Sequence, residues 1–237
     1  MTETPDRRRR KLHGRRVGKP LKPRQAALIE TLLPRIRVPV ARDAGGRVLP
    51  LDPGALFGRP MSALRLEIGF GGGEHLAARA AEFPDTGFIG CEPFLNGAAK
   101  MLAQIEAGGL ANVRVWDGDA RDVLDALPDG AIDHVDLLYP DPWPKLRHHK
   151  RRFVQADTRD ALARTMKPGA LLCVATDIPD YARWTLQQLI PDRRFRWLAR
   201  AAADWRTPFP GWPGTRYEAK ALRAGRAPIY LTFRREA

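Results

Sequence analysis

The pattern of hydrophobic and polar residues becomes regular at residue 64, where short apolar runs begin to alternate with amphipathic stretches. Seven runs have the length and composition of strands: 64–70, 86–93, 112–119, 134–143, 171–177, 194–200 and 229–235. Helical spacing follows the first five of them, over 74–83, 96–109, 120–127, 158–170 and 181–190. This alternation predicts an α/β fold, a single Rossmann-like domain whose mainly parallel seven-stranded sheet carries helices on both faces.

The first 61 residues do not follow this pattern. Residues 1–23 are basic and contain Pro and Gly, so we expect a disordered tail there. Residues 24–33 have helical spacing, and residues 34–61 are predicted to be irregular because they are rich in Pro, Gly and Arg. We therefore expect one domain over residues 24–237, with its Rossmann-like core over 62–237.

Positive charge is concentrated at the start of the chain. The first 24 residues contain ten Lys and Arg against two acidic residues, a net charge of +8 out of +13 for all 237 residues. Lys and Arg displace counterions from phosphates, so this tail suits a polyanionic partner. A solvated tail without a partner would have the same composition, and both interpretations stay open here.

The sequence argues against a membrane protein and against a metal site. No apolar run approaches the roughly 20 residues that span a bilayer, and the start lacks the apolar core of a secretory signal, so we expect a cytoplasmic protein. Cys91 and Cys173 lie in apolar runs and are predicted to be buried thiols. His148 and His149 lack partners at ligand spacing, so we expect no metal. We expect a monomer, with a homodimer left open.

A glycine loop and three acids follow the first three strands. Gly69 and Gly71 let a ligand approach main-chain N–H groups at the start of a helix. Glu74 stands where the dinucleotide fingerprint requires Gly or Ala, which disfavours a pyrophosphate ligand. Three successive strands end in an acid: Glu67, Glu92 and Asp119. S-adenosylmethionine (SAM) has a ribose, an adenine, an ammonium and a sulfonium, and such an acidic pocket at the strand ends suits it.

The fourth strand runs into a loop that combines an acid, an aromatic ring and several cations. Pro140 and Pro142 flank Asp141 and restrict the backbone around it. Trp143 offers a face on which a base could stack. Five of the eight residues in 145–152 are Lys or Arg, which suits phosphate binding. The loop therefore predicts a nucleic-acid substrate next to the cofactor.

Taken together, the motifs resemble those of the bacterial tRNA (guanine-N7)-methyltransferase family. They are LEIGFGGG (66–73), GCEPF (90–94), GDARD (118–122), PDPWPKLRHHKRR (140–152), ATD (175–177) and TRYE (215–218). The resemblance covers about residues 24–237 and implies a class I SAM-dependent methyltransferase with SAM as cofactor and tRNA as partner. The three glycines at 71–73 depart from the family, which often has a larger residue at the middle position.

The resemblance also implies roles for individual residues. Cofactor contacts fall on Glu67, Gly69, Gly71, Glu92, Asp119 and Asp141. Substrate contacts fall on Lys145, Arg147, His148, His149, Lys150, Arg151, Arg152, Asp177, Thr215, Arg216, Tyr217 and Glu218. The implied reaction transfers a methyl group to N7 of a guanosine in tRNA, conventionally number 46 of the variable loop.

This chemistry requires positioning more than proton transfer. Guanine N7 already carries an in-plane lone pair, so no base is needed to create the nucleophile. The purine gains positive charge as the methyl group arrives, and we expect Asp141 to be catalytic by stabilising that charge. Asp177 and Glu218 are further candidates for charge stabilisation or for recognition of the guanine edge. Trp143 or Tyr217 would supply an aromatic face.

Three other functions stay open at this point. The glycine loop alone would also suit a SAM-dependent methyltransferase that acts on another RNA, a protein or a small molecule. A nicotinamide-dependent oxidoreductase is disfavoured by Glu74 and by the lack of a Tyr-x-x-x-Lys pair. A non-catalytic RNA-binding module would leave the acids after the strands without a purpose.

Overall fold

The computed structural model describes residues 12–237, which form the predicted alternation of strands and helices. The strands are β1 (Ala63–Ile68), β2 (Thr86–Cys91), β3 (Val113–Trp116), β4 (Ile132–Leu138), β5 (Met166–Thr176), β6 (Phe195–Trp197) and β7 (Ile229–Arg235). The helices are α1 (Pro23–Thr31), α2 (Leu33–Ile36), α3 (Glu74–Glu82), α4 (Leu95–Gly108), α5 (Ala120–Ala126), α6 (Ala156–Thr165), α7 (Pro179–Leu189) and α8 (Arg216–Arg223). No helix in this part of the chain is long and apolar enough to cross a membrane.

The seven strands form one sheet in the order β3-β2-β1-β4-β5-β7-β6. Neighbours from β3 to β5 pair in parallel, whereas β7 runs antiparallel to both β5 and β6. This confirms the prediction of a mainly parallel seven-stranded sheet. The strand order reverses between β1 and β4, so the crossovers on either side leave in opposite directions and open a crevice at the carboxyl ends of these two strands.

Helices cover both faces of the sheet, as predicted. One apolar cluster joins α1 and α4 to β2 and β3, and it includes Leu28 and Leu102. A second cluster joins α5, α6 and α7 to the other face, and it includes Leu66 and Tyr181. Cys91 is a buried free thiol within this second cluster, and its burial raises its pKa, so the predicted role of a small buried residue is confirmed.

Two elements differ from the predicted pattern. The helix predicted over 158–170 ends at Thr165, and Met166 already pairs with β4. Pairing resumes only at Leu171, so the residues between form a bulge in which Pro168 needs no ladder hydrogen bond. The pattern also predicts no helix over 216–223, yet α8 forms there because the Thr215 hydroxyl caps its first turn.

The N-terminal segment also differs from its prediction. Within residues 12–22, Gly18 N donates to Asn96 Oδ1 at 2.7 Å, and Asn96 Nδ2 donates to the Lys19 carbonyl at 2.7 Å. Leu95 N donates to the carbonyl of Arg16 at 2.9 Å. The start of α4 thus supplies partners for this backbone, so residues 12–22 are an ordered strap rather than the expected disordered tail. The rest of that prediction, over 1–11, lies outside the described residues.

A row of polar side chains crosses the buried centre of the sheet. Glu67, Asp136, Cys173 and Thr232 are register partners on β1, β4, β5 and β7, so their side chains share one face. Glu67 and Asp136 are each 4% exposed. Burial alone would raise the pKa of Asp136, but His134 on the same strand, and after it Arg65, whose Nη2 lies 3.2 Å from Asp136 Oδ2, hold this pKa below its usual range. Buried charges persist only with such partners.

Helix α3 provides the partner of Glu67. His75 Nδ1 lies 2.7 Å from Glu67 Oε2, and both side chains are buried. Burial raises the pKa of Glu67 by more than the His75 ring lowers it. Burial by itself would lower the pKa of His75, but the Glu67 carboxylate outweighs this effect and the pKa is raised above 6.5. The folded state therefore binds the proton of His75 more tightly than the unfolded state does.

This pair predicts a pH-dependent contribution to stability. Because the folded pKa of His75 is the higher one, its contribution is fully present below about pH 6.5 and is lost as the pH rises through the folded value. We expect the His75 ring to titrate above 6.5 by NMR and the free energy of unfolding to fall over the same range. Glu67→Gln should shift that titration below 6.5, because burial then dominates.

The NMR signal is assigned by its disappearance in His75→Asn. A His75 pKa that does not move in the Glu67→Gln variant would contradict the pairing.

Candidate active site

A cavity of about 640 Å³ lies where the strand order reverses, at the carboxyl ends of the parallel strands. Its wall contains five of the six residues predicted to bind the cofactor: Gly69, Gly71, Glu92, Asp119 and Asp141. They arrive from the ends of β1, β2, β3 and β4, as parallel strands require. The volume is in the range of small-molecule sites.

Glu92 is fixed in this wall by main-chain donors. Its Oε2 accepts a hydrogen bond from Gly71 N at 2.7 Å, and its Oε1 accepts one from Phe94 N at 2.9 Å. Gly71 has a φ of 58°, a conformation that favours glycine, and this turn directs its N–H at the carboxylate. Burial raises the pKa of Glu92 even though these donors lower it. Each oxygen keeps a second lone pair for a ligand hydroxyl.

Asp119 is held by a cation that the sequence analysis missed. Arg121 N donates to Asp119 Oδ1 at 3.0 Å, and Arg121 Nε lies 2.9 Å from Asp119 Oδ2. Both residues line the cavity. The signal in the sequence is an arginine two residues after the predicted acid, within GDARD. A ligand that contacts Asp119 must share its carboxylate with this guanidinium.

The loop after β4 is strained on both sides of Asp141. Tyr139 has a φ of 50° and Trp143 a φ of 44°, the two non-glycine residues with positive φ in the described chain. Such conformations are costly and concentrate at functional sites. Among residues 12–237, no hydrogen bond or ion pair engages the Asp141 carboxylate, and partial burial raises its pKa. The strained loop therefore presents a carboxylate that is open to a ligand.

The basic run that follows divides into an outer and an inner set. Lys145, Arg147 and Lys150 are exposed, as a phosphate-binding role requires. The Arg151 guanidinium lies 4.9 Å from the centre of the Trp143 ring, so it already occupies one face of the indole on which a base was expected to stack.

Arg152 and His149 form the inner set; Arg152 also lines the cavity, and contact of these two side chains with the substrate stays a prediction. The Arg152 side chain is fully buried; its Nε donates to the Pro142 carbonyl at 3.0 Å, and its Nη2 pairs with Asp180. His149 is largely buried, with its ring 5.4 Å from that of Trp184. Arg152 thus anchors the strained loop from behind, because a buried guanidinium needs its acceptors.

His148 lies with the outer set. Its ring contacts the edge of Trp143 at 5.9 Å. Desolvation and the surrounding cations lower the pKa of His148, so at neutral pH this imidazole is uncharged. It can therefore donate or accept a hydrogen bond but adds no positive charge to the surface.

The TRYE segment supplies a further wall. Arg216 and Tyr217 line the cavity. The Tyr217 ring covers Gly71 so closely that a Cβ there would lie 3.0 Å from Tyr217 Cε2, and Arg216 Nε donates to Glu74 Oε1 at 2.7 Å. Thr215 caps α8, with its Oγ1 accepting from the N–H at the third helical position. The glycine loop is therefore packed against the start of α8.

Two predicted substrate acids are not in the cavity wall. Asp177 accepts a hydrogen bond from Arg226 Nε at 2.6 Å. Glu218 is buried, accepts from Trp212 Nε1 at 2.6 Å and also from the Tyr230 hydroxyl. Glu218 is therefore a packing anchor in this structure, because both of its oxygens are already engaged with aromatic donors.

Glu67 is the one predicted cofactor residue outside the wall. It lies behind the glycine loop, bonded to His75, and direct contact with a cofactor stays a prediction. Glu67, His75 and Asp136 could offer ligand atoms to a metal, since these atoms lie within 4.8 Å of one another. Arg65 already balances the charge of Asp136 there.

The N-terminal strap completes the cavity, which the sequence analysis did not foresee. Leu12, His13, Gly14 and Arg15 line it. Gly14 approaches the catalytic candidate so closely that a Cβ there would lie 3.6 Å from Asp141 Oδ2. A basic composition suggested RNA contact alone, and only the packing of residues 16–19 on α4 places the strap over the ligand site.

The residues of the wall fit SAM. The glycine loop brings main-chain N–H groups to the site, and Glu92 offers lone pairs suited to ribose hydroxyls. Glu92, Asp119 and Asp141 place carboxylates in the wall that suit a cationic sulfonium or ammonium, and cations such as Arg121 and Arg216 line the same cavity.

Release of the strap should weaken cofactor binding. Asn96→Ala removes the two hydrogen bonds that hold Gly18 and Lys19. We expect SAM affinity, measured by calorimetry, to fall about three- to tenfold, the order expected from one or two lost hydrogen bonds. Gln187→Ala, an exposed amide on α7, is the matched control. Wild-type affinity in the Asn96→Ala variant would remove the strap from the binding site.

Comparison with known proteins identifies the family of the chain. The family model Methyltransf_4, described as "Putative methyltransferase", matches residues 62–231. Three proteins named tRNA (guanine-N(7)-)-methyltransferase are similar over nearly their whole length. The protein of Rhizobium meliloti is 56% identical over 94% of each chain. The protein of Mesorhizobium japonicum is 52% identical over 99% of this chain and 98% of its own. The protein of Ruegeria pomeroyi is 54% identical over 98% of this chain and 97% of its own.

Solved structures share the fold at low sequence identity. The 16S rRNA methyltransferase KamB superposes with a TM-score of 0.55 at 16% identity, over 83% of this chain and 99% of its own. An rRNA methylase from Streptococcus thermophilus gives a TM-score of 0.52 at 10% identity, over 75% and 89%. These similarities confirm the methyltransferase fold, and the sequence identities, above half over almost the full length, show that the chain belongs to the tRNA (guanine-N7)-methyltransferase family.

Proposed function

We propose that this protein transfers the methyl group of SAM to N7 of a guanosine in tRNA, and that the guanosine is number 46 of the variable loop. The names of its relatives support the tRNA substrate and the N7 atom. The position within the tRNA rests on the family resemblance. The observation that carries the proposal is the Asp141 carboxylate, which lies in the cavity wall without a partner among residues 12–237 and is followed by the exposed cations of the β4 loop.

On the cofactor side, the chain binds and orients. SAM supplies, when bound, a methyl group made electrophilic by its sulfonium. Glu92 would take the ribose, held in place by Gly71 N and Phe94 N. Asp119, together with Arg121, would bound the far end of the cavity. The strap would exclude water from the side of Asp141.

On the substrate side, the chain supplies a fixed negative charge on a loop that is held rigidly in place. Guanine N7 attacks with its own lone pair, so no residue has to remove a proton before methyl transfer. The purine becomes positively charged, and a preorganised carboxylate stabilises that charge more in the transition state than in the ground state. Asp141 suits this role because its strained loop is anchored by Arg152 and because no hydrogen bond or ion pair from residues 12–237 engages its carboxylate.

The exposed cations would hold the tRNA backbone. Arg147 and Lys150 lie on the 3-10 turn Leu146–Arg151, Lys145 directly precedes this turn, and Lys150 also lines the cavity that holds Asp141. Their exposed charges suit contacts with backbone phosphates that would position the tRNA. Asp177 could accept hydrogen bonds from the guanine edge only if its present hydrogen bond from Arg226 were broken.

The direct test uses labelled SAM and an unmodified tRNA transcript. We expect 7-methylguanosine as the methylated nucleoside and no product from a transcript in which guanosine 46 is replaced by adenosine. Methylation at a Watson–Crick atom would overturn the proposed reaction. Persistent 7-methylguanosine in the replaced transcript would overturn the position alone.

Asp141→Asn should lower turnover about 10²- to 10³-fold, because the variant keeps the shape but loses one preorganised charge. Single-turnover kinetics with tRNA provide the measurement. Asp129→Asn, an exposed acid in the loop before β4, is the control and should be unaffected. If the Asp141→Asn enzyme turns over at the wild-type rate, the carboxylate has no electrostatic role. The pH–rate profile should show no limb from a base of near-neutral pKa.

The salt dependence of tRNA binding should identify the phosphate contacts. Lys145→Gln and Arg147→Gln should each reduce the slope of log affinity against log salt by roughly 0.7–0.9, the contribution of one phosphate contact. Arg59→Gln, next to β1 at the opposite end of the strands, is the control. A slope equal to that of the wild type would show that these side chains do not neutralise phosphates.

A further inference from the structure

The cavity wall contributed by Arg216 and Tyr217 depends on a loop without regular structure. Residues 206–215 join a 3-10 turn to α8 and contain three prolines and two glycines. Such a segment has no ladder or helical hydrogen bonds of its own, so its position has to be imposed by neighbours. Phe209 and Trp212 pack on Tyr230 of β7, with ring centres 5.3 and 5.9 Å away.

Helix α3 holds the loop from the other side through three successive contacts. Arg79 Nη1 donates to the Gly211 carbonyl at 3.1 Å. The ring of His75, one helical turn earlier, lies 5.1 Å from the Trp212 ring at a tilt of 41°. Glu74 pairs with Arg216. His75 and Arg79 are four residues apart and share a face of α3, so this face forms a platform for the loop.

His75 connects this platform to the sheet. Its Nδ1 is bonded to Glu67 at the end of β1, which fixes the ring plane that Trp212 meets. Trp212 Nε1 in turn donates to Glu218 at 2.6 Å, and the Glu218 N–H is bonded to the cap residue Thr215. A chain of contacts therefore runs from the base of the glycine loop, through the buried ring of His75 and the partly buried ring of Trp212, to the first turn of α8.

We propose that His75 is a positioning residue that, with Trp212, sets the place of the substrate-side wall at Arg216 and Tyr217 relative to the cofactor loop. Helix α3 begins directly after the glycine loop, so the cofactor wall and the substrate-side wall are both held in place by this one helix. Methyl transfer depends on such alignment, since a displacement of about 1 Å can lower a rate 10²-fold. The inference rests on the proposed function, because the substrate wall is defined by tRNA methylation.

The test separates the two links of the chain. His75→Asn keeps a donor for Glu67 but loses the ring that meets Trp212. Trp212→Phe keeps a ring against His75 but loses the donor to Glu218. We expect each variant to lower kcat/KM for tRNA about tenfold while the affinity for S-adenosylhomocysteine in calorimetry stays within twofold of the wild type. The double variant should lose little more than the worse single variant, because both act through one chain.

A stability control distinguishes positioning from general damage. Leu76→Val shortens a buried side chain on the neighbouring face of α3, in the apolar cluster with Phe70, and should lower the melting temperature without changing kcat/KM for tRNA. Wild-type kcat/KM in both test variants would overturn the inference. The inference would also be overturned if the test variants lost S-adenosylhomocysteine affinity together with kcat/KM for tRNA. The same holds if the Leu76→Val variant lost kcat/KM for tRNA to a similar extent. Failure of the proposed function is distinguishable, because the wild-type enzyme itself would then bind the cofactor product without methylating tRNA.

Discussion

The parallel pairing of β1 with β4, at the point where strand order reverses, is the constraint on which the rest of the structure depends. Neighbouring crossovers leave in opposite directions there, so the carboxyl ends of the strands open into a crevice that no helix fills. Because parallel strands end at the same edge, Gly71, Glu92, Asp119 and Asp141 converge from distant parts of the chain. The chemistry follows from this convergence and not from any single motif.

Rigidity at this edge comes from behind the cavity. The strained backbone at Tyr139 and Trp143 persists because its surroundings hold it, and the buried guanidinium of Arg152 on the Pro142 carbonyl is one such restraint. A cation of the basic motif thus supports the loop, and because Arg152 also lines the cavity, its contact with the substrate stays a prediction. Asp141 and Glu218 differ in the same way: no group within the described part of the chain binds the Asp141 carboxylate, whereas aromatic donors bind both oxygens of Glu218.

Two irregular segments complete the wall of the cavity that opens at the edge of the sheet. The N-terminal strap closes one side of the cavity through Asn96, and the loop before α8 closes another through α3. Neither has secondary structure of its own, so each is positioned by side chains that belong to the Rossmann-like core. The glycine loop and helix α3 therefore position the cofactor wall. Through His75 they also position the wall proposed for the substrate.

The sequence by itself determined the strand and helix alternation, the acids at the strand ends and the loop around Asp141, because periodicity and turn residues are local properties. It did not determine which charged residues face inward. Arg152 and Glu218 carry the same motif signal as their exposed neighbours, and their burial is decided by packing against Asp180, Trp212 and other residues far away in the chain. The strap is the clearest case: its composition predicts disorder, and only the hydrogen bonds offered by α4 give its backbone a fixed place.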